Sequence, residues 1–273
     1  MQKFSFHTHT VFSDGKNSVC DMVEKAKLLG FDKIGISDHL IVHKNIKQTR
    51  SYEEQKRIYH QSFDEVVEAC NKHAEDIRKA QKTYGVKTFV GYEVDYFTYK
   101  GWEDEIRDFL TKIDYDYIIS GNHFLMSEDG EKIFDIWRFK DCEDTVREDI
   151  KAYIKRHFET LAKAVRSKMF MFLAHPDYVQ KMGVYREQDY QNEINMLIDA
   201  LKQTNTPCEI STKGLRKFGH FFPSDCILQK MIAENITFII SDDAHNIDEL
   251  GIYFEKAEEQ LASFGCQKRL IPE

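Results

Sequence analysis

The chain has 273 residues, 42% of them hydrophobic and 31% charged, and a formal net charge of -8. This is the composition of a soluble globular protein. It excludes low-complexity disorder and disfavours broad affinity for nucleic acid or anionic membrane, while leaving room for a local basic pocket that takes a small anion.

Short apolar runs alternate with longer helical patterns. A strand is expected at Phe4 to His7, a helix near Cys20 to Leu29 and a strand at Lys33 to Ser37. A long polar helical stretch, Glu53 to Tyr84, precedes a strand at Lys87 to Tyr92, and a helix near Glu103 to Ile113 precedes a strand at Asp116 to Ser120. Then come helix Glu143 to Ser167, strand Phe170 to Ala174, helix Glu187 to Thr204 and strand Pro207 to Ser211. Helix Ser224 to Glu234, strand Thr237 to Ser241 and a last helix near Glu249 to Phe264 complete the order. Strands that alternate with helices form parallel sheets, so this α/β order fits either a closed barrel or an open doubly wound sheet.

No Pro/Gly/Ser-rich linker divides the chain, which points to one domain over residues 1–273. Two longer connections, Leu40 to Ser51 and Leu125 to Asp141, are candidate lids. The cysteines Cys20, Cys70, Cys142, Cys208, Cys226 and Cys266 contain no CxxC pair and read as free thiols. No segment is long and apolar enough to span a bilayer, and Met1 to His9 has no basic region leading into an apolar run, so the expectation is a cytoplasmic protein without a membrane partner.

The chemistry lies at the strand ends. The first ends in His7-Thr8-His9, the second in Asp38-His39, the third in Glu93, the fourth in His123, the fifth in His175 and the seventh in Asp243-Ala244-His245. In a parallel barrel these ends share the face on which active sites are built. Residues two apart on a strand point the same way, so His7 and His9 can clasp one ion. Carboxylates bridge cations, which suits Glu93 and Asp243 to a multinuclear site for zinc, manganese or iron. Asp14, within Ser13-Asp14-Gly15, reads equally as a ligand or as an ordinary turn residue.

Other histidines carry less. His60, His73 and His157 fall in helical stretches and take a solvated or structural reading, while His43 and His220 are minor loop candidates for touching substrate. The sixth strand end opens into Thr212-Lys213-Gly214-Leu215-Arg216-Lys217, a basic loop. A phosphate ester needs cations, an activated water and an Arg or Lys for the remaining charge. Without a metal site beside it, such a loop is only an exposed charged surface.

Taken together, His7-Thr8-His9-Thr10 with Ser13-Asp14-Gly15, Ser37-Asp38-His39, Gly91-Tyr92-Glu93, His123, Ala174-His175, Gly214-Leu215-Arg216 and Ser241-Asp242-Asp243-Ala244-His245 resemble the polymerase and histidinol phosphatase (PHP) superfamily, and within it the histidinol-phosphate phosphatases. The resemblance covers nearly the whole chain. It implies the PHP fold, a distorted (β/α)7 TIM-like barrel, holding three divalent ions. His7, His9, Glu93 and Asp243 match the ligands of the first ion, Glu93, His123 and His175 those of the second, and Asp14, His39 and His245 those of the third. The resemblance thus favours the ligand reading of Asp14. The Asp-Ala-His ending selects Asp243 over Asp242, and Asp38 supports its neighbour His39 without being a ligand itself.

The implied reaction is hydrolysis of L-histidinol phosphate to L-histidinol and phosphate in histidine biosynthesis. His175, Asp243 and Arg216 would be catalytic, with Arg216, Lys213 and Lys217 binding the phosphoryl group. Two departures bear on the pocket: Ser211-Thr212-Lys213-Gly214 stands where relatives often carry Asn-Thr-Ser/Ala-Gly, and Ser120-Gly121-Asn122-His123 where they often carry Gly-Ser, an apolar residue and His. The rival readings are a PHP phosphoesterase for another small ester or nucleotide, a proofreading nuclease, which the acidic charge disfavours, and a metal-binding regulatory protein without turnover.

Overall fold

The computed structural model describes residues 2–139 and 149–273. Its frame is a run of parallel strands: β1 (Phe4–Ser5), β2 (Lys33–Val42), β4 (Lys87–Val94) and β5 (Tyr117–Ser120) pair in the order β1-β2-β4-β5, with β3 (Tyr59–His60) off β2. The next stave is the 170–174 segment, which joins through the parallel bridges Ser120 to Leu173 and Leu173 to Cys208. β8 (Cys208–Ser211) and β9 (Phe238–Ser241) follow as a parallel pair. The ring closes on β1 where His9 N–H donates to Ala244 O at 2.8 Å and Ala244 N–H to His7 O at 3.3 Å. The result is the expected seven-stave distorted barrel and not the open sheet.

Seven short apolar runs can close in this way because the barrel interior is filled. Phe4, Phe6, Tyr117, Ile119, Phe172, Ala174 and Ile239 form the inner cluster, and Tyr117 OH donates to Phe6 O at 2.9 Å. Gly91 makes room for that ring, since a Cβ there would lie 2.3 Å from Tyr117 Cζ. A second, larger apolar cluster lies between the staves and the surrounding helices. Those helices carry ordinary end signals. α1 (Val19–Leu28) begins with a reciprocal Ser18–Asp21 capping box, and α2 (Val67–Tyr84) stops at Gly85, whose φ of 73° is left-handed.

Four expectations change in the structure. The helical stretch from Glu53 is helical only from Val67. Residues 53–66 instead hold turns and β3, because Tyr59 OH donates to Asp135 at 2.8 Å and Ile41 and Val42 pair with Tyr59 and His60. Tertiary pairing outweighs a helical pattern here. The first candidate lid is strand through Val42, where the register to β4 continues past His39↔Glu93 to Leu40↔Val94. The second begins as a hairpin, β6 (Phe124–Met126) with β7 (Ile133–Asp135), and its last residues, 140 and 141, lie outside the described residues. The basic loop after the sixth strand is a short helix, α6 (Thr212–Phe218).

The remaining helices are α3 (Trp102–Leu110), α4 (Ile150–Arg166), α5 (Gln191–Thr204), α7 (Asp225–Ala233) and α8 (Phe254–Ser263). The expected start of the helix at Glu143 and the thiol of Cys142 also lie outside the described residues. The five described cysteines are unpaired, and no described helix is long and apolar enough to cross a membrane.

Candidate metal centre

Because all staves run parallel, their carboxyl ends meet at one mouth, and the side chains there are short-range neighbours. Glu93 stands at the centre. Its Oε1 lies 2.8 Å from His175 Nε2 and 3.6 Å from His123 Nε2, and its Oε2 lies 2.9 Å from His39 Nδ1, 3.3 Å from His7 Nε2 and 3.5 Å from His9 Nε2. Asp243 Oδ1 sits 3.2 Å from His9 Nε2, 3.3 Å from His245 Nδ1 and 3.6 Å from His7 Nε2. Asp14 reaches His245 Nε2 at 3.2 Å and His39 Nε2 at 3.6 Å. The eight ligands proposed from the strand ends and Asp14, which the resemblance favoured, are therefore brought together, in overlapping groups of three or four with mutually close donor atoms.

This donor set fits divalent cations. His7 Nε2, His9 Nδ1 and Nε2, His39 Nδ1, Glu93 Oε2 and Asp243 Oδ1 are buried with no hydrogen-bond partner. Unpartnered buried polar atoms are costly, and so many converging on one point call for a shared electrophile. The imidazole–carboxylate set suits zinc, manganese or iron. Local packing agrees: a Cβ on Gly121 would fall 2.0 Å from Glu93 Oε1, so only glycine lets the carboxylate lie against the β5 end.

Charge at Glu93, Asp243 and His9 is tuned in the same sense. Burial would raise Glu93, but His7, His123 and His39 outweigh it and hold the carboxyl well below its ordinary range. Burial opposes ionisation of Asp243 too, and Lys213 and His7 overcome it. Burial, with His245 and His39 beside it, pushes the His9 imidazole down to about 3, which keeps its lone pair free.

Two carboxylates outside the expected set orient the histidines. Glu209, buried on β8, accepts from His7 Nδ1 at 2.7 Å and from His175 N–H at 2.9 Å, and also bonds Ser241 Oγ. A proton held at Nδ1 leaves Nε2 of His7 as the lone pair facing Glu93 and Asp243. Asp95 does the same for His123, with Oδ1 2.7 Å from Nδ1 and Oδ2 accepting the His123 N–H at 2.7 Å. A Glu209→Gln protein, still folded, is expected to bind divalent metal roughly 10–100-fold more weakly, the usual cost of losing such a support. Unchanged affinity by competitive chelator titration would remove Glu209 from this role.

Asp95 had a signal in the sequence, since it lies two residues beyond Glu93 on one strand face. Glu209 had only a weak one, as a single carboxylate in an apolar run. Asp38 accepts from Thr10 and Ser13, and so supports the loop beside His39 without entering the ligand cluster. Asp242 points elsewhere, accepting from Ser5 Oγ and from Gly251 N–H, both at 2.7 Å.

Four of the nine, Asp14, His39, His123 and His245, line a cavity of about 300 Å³, and the other five lie beneath them. Lys213 lines it, with Nζ 2.9 Å from Asp243 Oδ2, as do Lys217 at the rim and Lys181, which the sequence reading did not single out. Lys181 Nζ donates to Tyr178 OH at 2.6 Å and lies 4.1 Å from that ring's centroid, and burial together with Lys213 brings it down to about 7. Ile58 and Tyr59 line it as well, with Ile41 and Trp137 supplied by the two segments expected to be lids.

Arg216 is not among the cavity-lining residues. Its Nη2 donates to Asp242 O at 2.6 Å and Asp243 O at 3.3 Å, and Nη1 to Thr212 Oγ1 at 3.1 Å. Asp243 has a left-handed φ of 47°, and the carbonyls of this turn face the guanidinium. His43 is likewise structural: its Nε2 donates to Gly130 O at 2.9 Å and its Nδ1 accepts the Asn45 N–H, tying the two outer segments together. His220 does not line the cavity either. Its Nδ1 lies 3.0 Å from Phe221 O. Of the histidines expected in helices, His60 stands on β3, and His73 and His157 are buried on α2 and α4.

Comparison with known proteins gives three kinds of likeness. The PHP domain family matches residues 5–213. A Deinococcus radiodurans protein named "Probable histidinol-phosphatase" is 22% identical over 205 residues, 73% of this chain and 74% of that one. The Bacillus subtilis DNA polymerase/3'-5' exonuclease PolX is 24% identical over 254 residues, which is 91% of this chain but 35% of that protein. The crystal structure of histidinol phosphate phosphatase from Lactococcus lactis, complexed with zinc, L-histidinol and phosphate, matches with a TM-score of 0.71 at 16% identity, covering 98% of this chain and 95% of that one.

Proposed function

The chain belongs to the PHP domain family, and from that membership we propose that it is a metal-dependent phosphomonoesterase that converts L-histidinol phosphate and water to L-histidinol and phosphate in histidine biosynthesis. The observation that carries the reading is the set of orphaned buried donors, His7 Nε2, His9 Nε2, Glu93 Oε2 and Asp243 Oδ1, packed against the histidines His39, His123 and His245 that line a lysine-bearing cavity. The names of the Deinococcus and Lactococcus proteins support the choice of substrate.

Three divalent ions, zinc, manganese or iron, are assigned to His7, His9, Glu93 and Asp243; to Glu93, His123 and His175; and to Asp14, His39 and His245. When bound, they supply positive charge to the phosphoryl oxygens and acidify the attacking water, as zinc does to about 7. Lys213, Lys181 and Lys217 offer charge to the oxygens that face the cavity. Arg216 is assigned to holding the Asp242–Asp243 turn and thereby the position of Asp243. Ile58, Tyr59 and Trp137 give the leaving alcohol an apolar wall that excludes bulk water. The water oxygen bonds to phosphorus as the ester P–O bond breaks, and the proton released by the water restores the alcohol.

Residues 1–273 are assigned to one domain, since the staves run from Phe4 to Ser241 before the ring closes. The unpaired thiols of the five described cysteines suit a reducing compartment and so support a cytoplasmic assignment.

The test is steady-state hydrolysis of histidinol phosphate beside a panel of phosphate esters, nucleotides and single-stranded DNA, with elemental analysis of the purified protein. The expected result is bound divalent metal and a kcat/KM for histidinol phosphate well above that of any other substrate. Selective turnover of another ester would replace the substrate but keep the chemistry. Degradation of DNA would move the protein toward the nuclease reading, and metal-loaded protein that turned over nothing would make it a binding protein.

A further inference from the structure

His73 belongs to α2, outside the barrel staves, yet it is 5% exposed and buried toward the site. Its Nε2 lies 3.0 Å from Asp38 Oδ2. Its ring stacks on Phe12, with centroids 4.1 Å apart and planes inclined by 16°. Asp38, fully buried, gives its remaining acceptor capacity to a single loop. Its Oδ1 accepts from Thr10 N–H at 2.7 Å, Ser13 N–H at 3.2 Å and Ser13 Oγ at 2.5 Å, and its Oδ2 accepts from Thr10 Oγ1 at 2.7 Å.

That loop delivers Asp14, and His73 therefore grips it twice: from within, through the Asp38 carboxylate, and from outside, through the Phe12 ring. Asp14 needs such a grip. Its side chain is 34% exposed, the most exposed of the carboxylates in the cluster, and its hydrogen bond from Ser13 Oγ is long, at 3.4 Å. Three of the histidines around Glu93 are oriented independently of this loop, His7 and His175 by Glu209 and His123 by Asp95.

We infer that His73 is a positioning residue which, acting through Asp38 and Phe12, sets Asp14 against His39 and His245 and so controls occupancy of that outer cation position without governing those centred on Glu93. The inference rests on reading the strand-end cluster as a divalent metal site. A buried imidazole that were merely part of the core would affect stability and leave metal content untouched, or weaken every position alike.

The experiment compares wild type, His73→Leu, His73→Gln, Asp14→Asn and the His73→Leu/Asp14→Asn double variant. Bound metal per chain is read by elemental analysis under titration with a competing chelator, alongside melting temperature. In His73→Leu the weakest-bound ion is expected to lose affinity by about 10–100-fold, the range for an orienting group, while the tighter ions stay. Asp14→Asn should lose the same ion, and the double variant should lose no other. His73→Gln, which keeps a polar N–H beside the Asp38 carboxylate, should recover most of the affinity.

Wild-type metal affinity in folded His73→Leu would overturn the inference, as would an equal loss at every position. If His73→Leu does not fold, Phe12→Leu removes only the stack and takes its place under the same readout, and unchanged affinity there overturns the inference too. Wild-type protein that takes up no divalent metal would overturn the metal reading and this one with it, whereas loaded wild type beside an equally loaded variant overturns this one alone.

Discussion

Glu93→Gln is expected to lower kcat for phosphate-ester hydrolysis by about 10²–10³, the order found when one pre-organised electrostatic partner is removed from an active site. It should also shed the ions centred on that residue. The substitution keeps shape and volume but removes the charge and leaves one oxygen where two now serve. Those two oxygens address five imidazoles, at 2.8 to 3.6 Å. No other carboxylate among the described residues has that reach: Asp243 Oδ1 addresses three histidines and Asp14 three. Glu93 is also fully buried, so water cannot substitute for the lost oxygen. A folded Glu93→Gln protein with wild-type turnover and full metal content would dismiss the cluster as the seat of the reaction.

Stripping the metal with a chelator is the second large effect. Activity should vanish and return when a divalent ion is added back, and the melting temperature should drop by several degrees. A ligand bound only by the native state, at about a hundred times its dissociation constant, contributes roughly 2.7 kcal/mol. For chains of this size, 1 kcal/mol corresponds to about 2–4 °C, so even one ion is worth on the order of 5 °C. The physical source is the row of buried unpartnered atoms on His7, His9, His39, Glu93 and Asp243. Metal competes with protons for those imidazoles, so the stabilisation should fade as the pH is lowered into the histidine range. An identical melting curve with and without chelator would show that the cluster satisfies itself without cations.

Much of the site's location was legible before any coordinate. A parallel β/α rhythm implies one functional mouth, and residues such as His7, Glu93 and His175 announce themselves because each ends an apolar run with a polar group that the core would reject. The residues that aim those groups were harder to read. Glu209 sits inside a strand whose neighbours are Cys208 and Ile210, and nothing local distinguishes it from an ordinary polar position until His7 is laid against it, 202 residues away in sequence. Lys181 is one lysine among many until the turn after His175 folds it over Tyr178.

Arg216 shows the limit most clearly. Residue type and loop context both suit an anion contact, yet the left-handed turn at Asp243 leaves two carbonyls facing the guanidinium, which donates to both. The stretch 53–66 fails for a related reason. Its polar helical spacing is real, but burial of Tyr59 against Asp135 and pairing with β2 are long-range gains that local propensity cannot register.

By itself, then, the sequence determined the kind of fold and the residue types gathered at its mouth, since hydrophobic periodicity and strand-end polarity are properties of short windows. The contacts that close the barrel, the carboxylates that set histidine tautomers, and the seating of Arg216 on the Asp242–Asp243 carbonyls were decided only by the tertiary structure. Each depends on atoms that meet across dozens to hundreds of residues, where burial and unsatisfied hydrogen bonds, more than local preference, decide which contact wins.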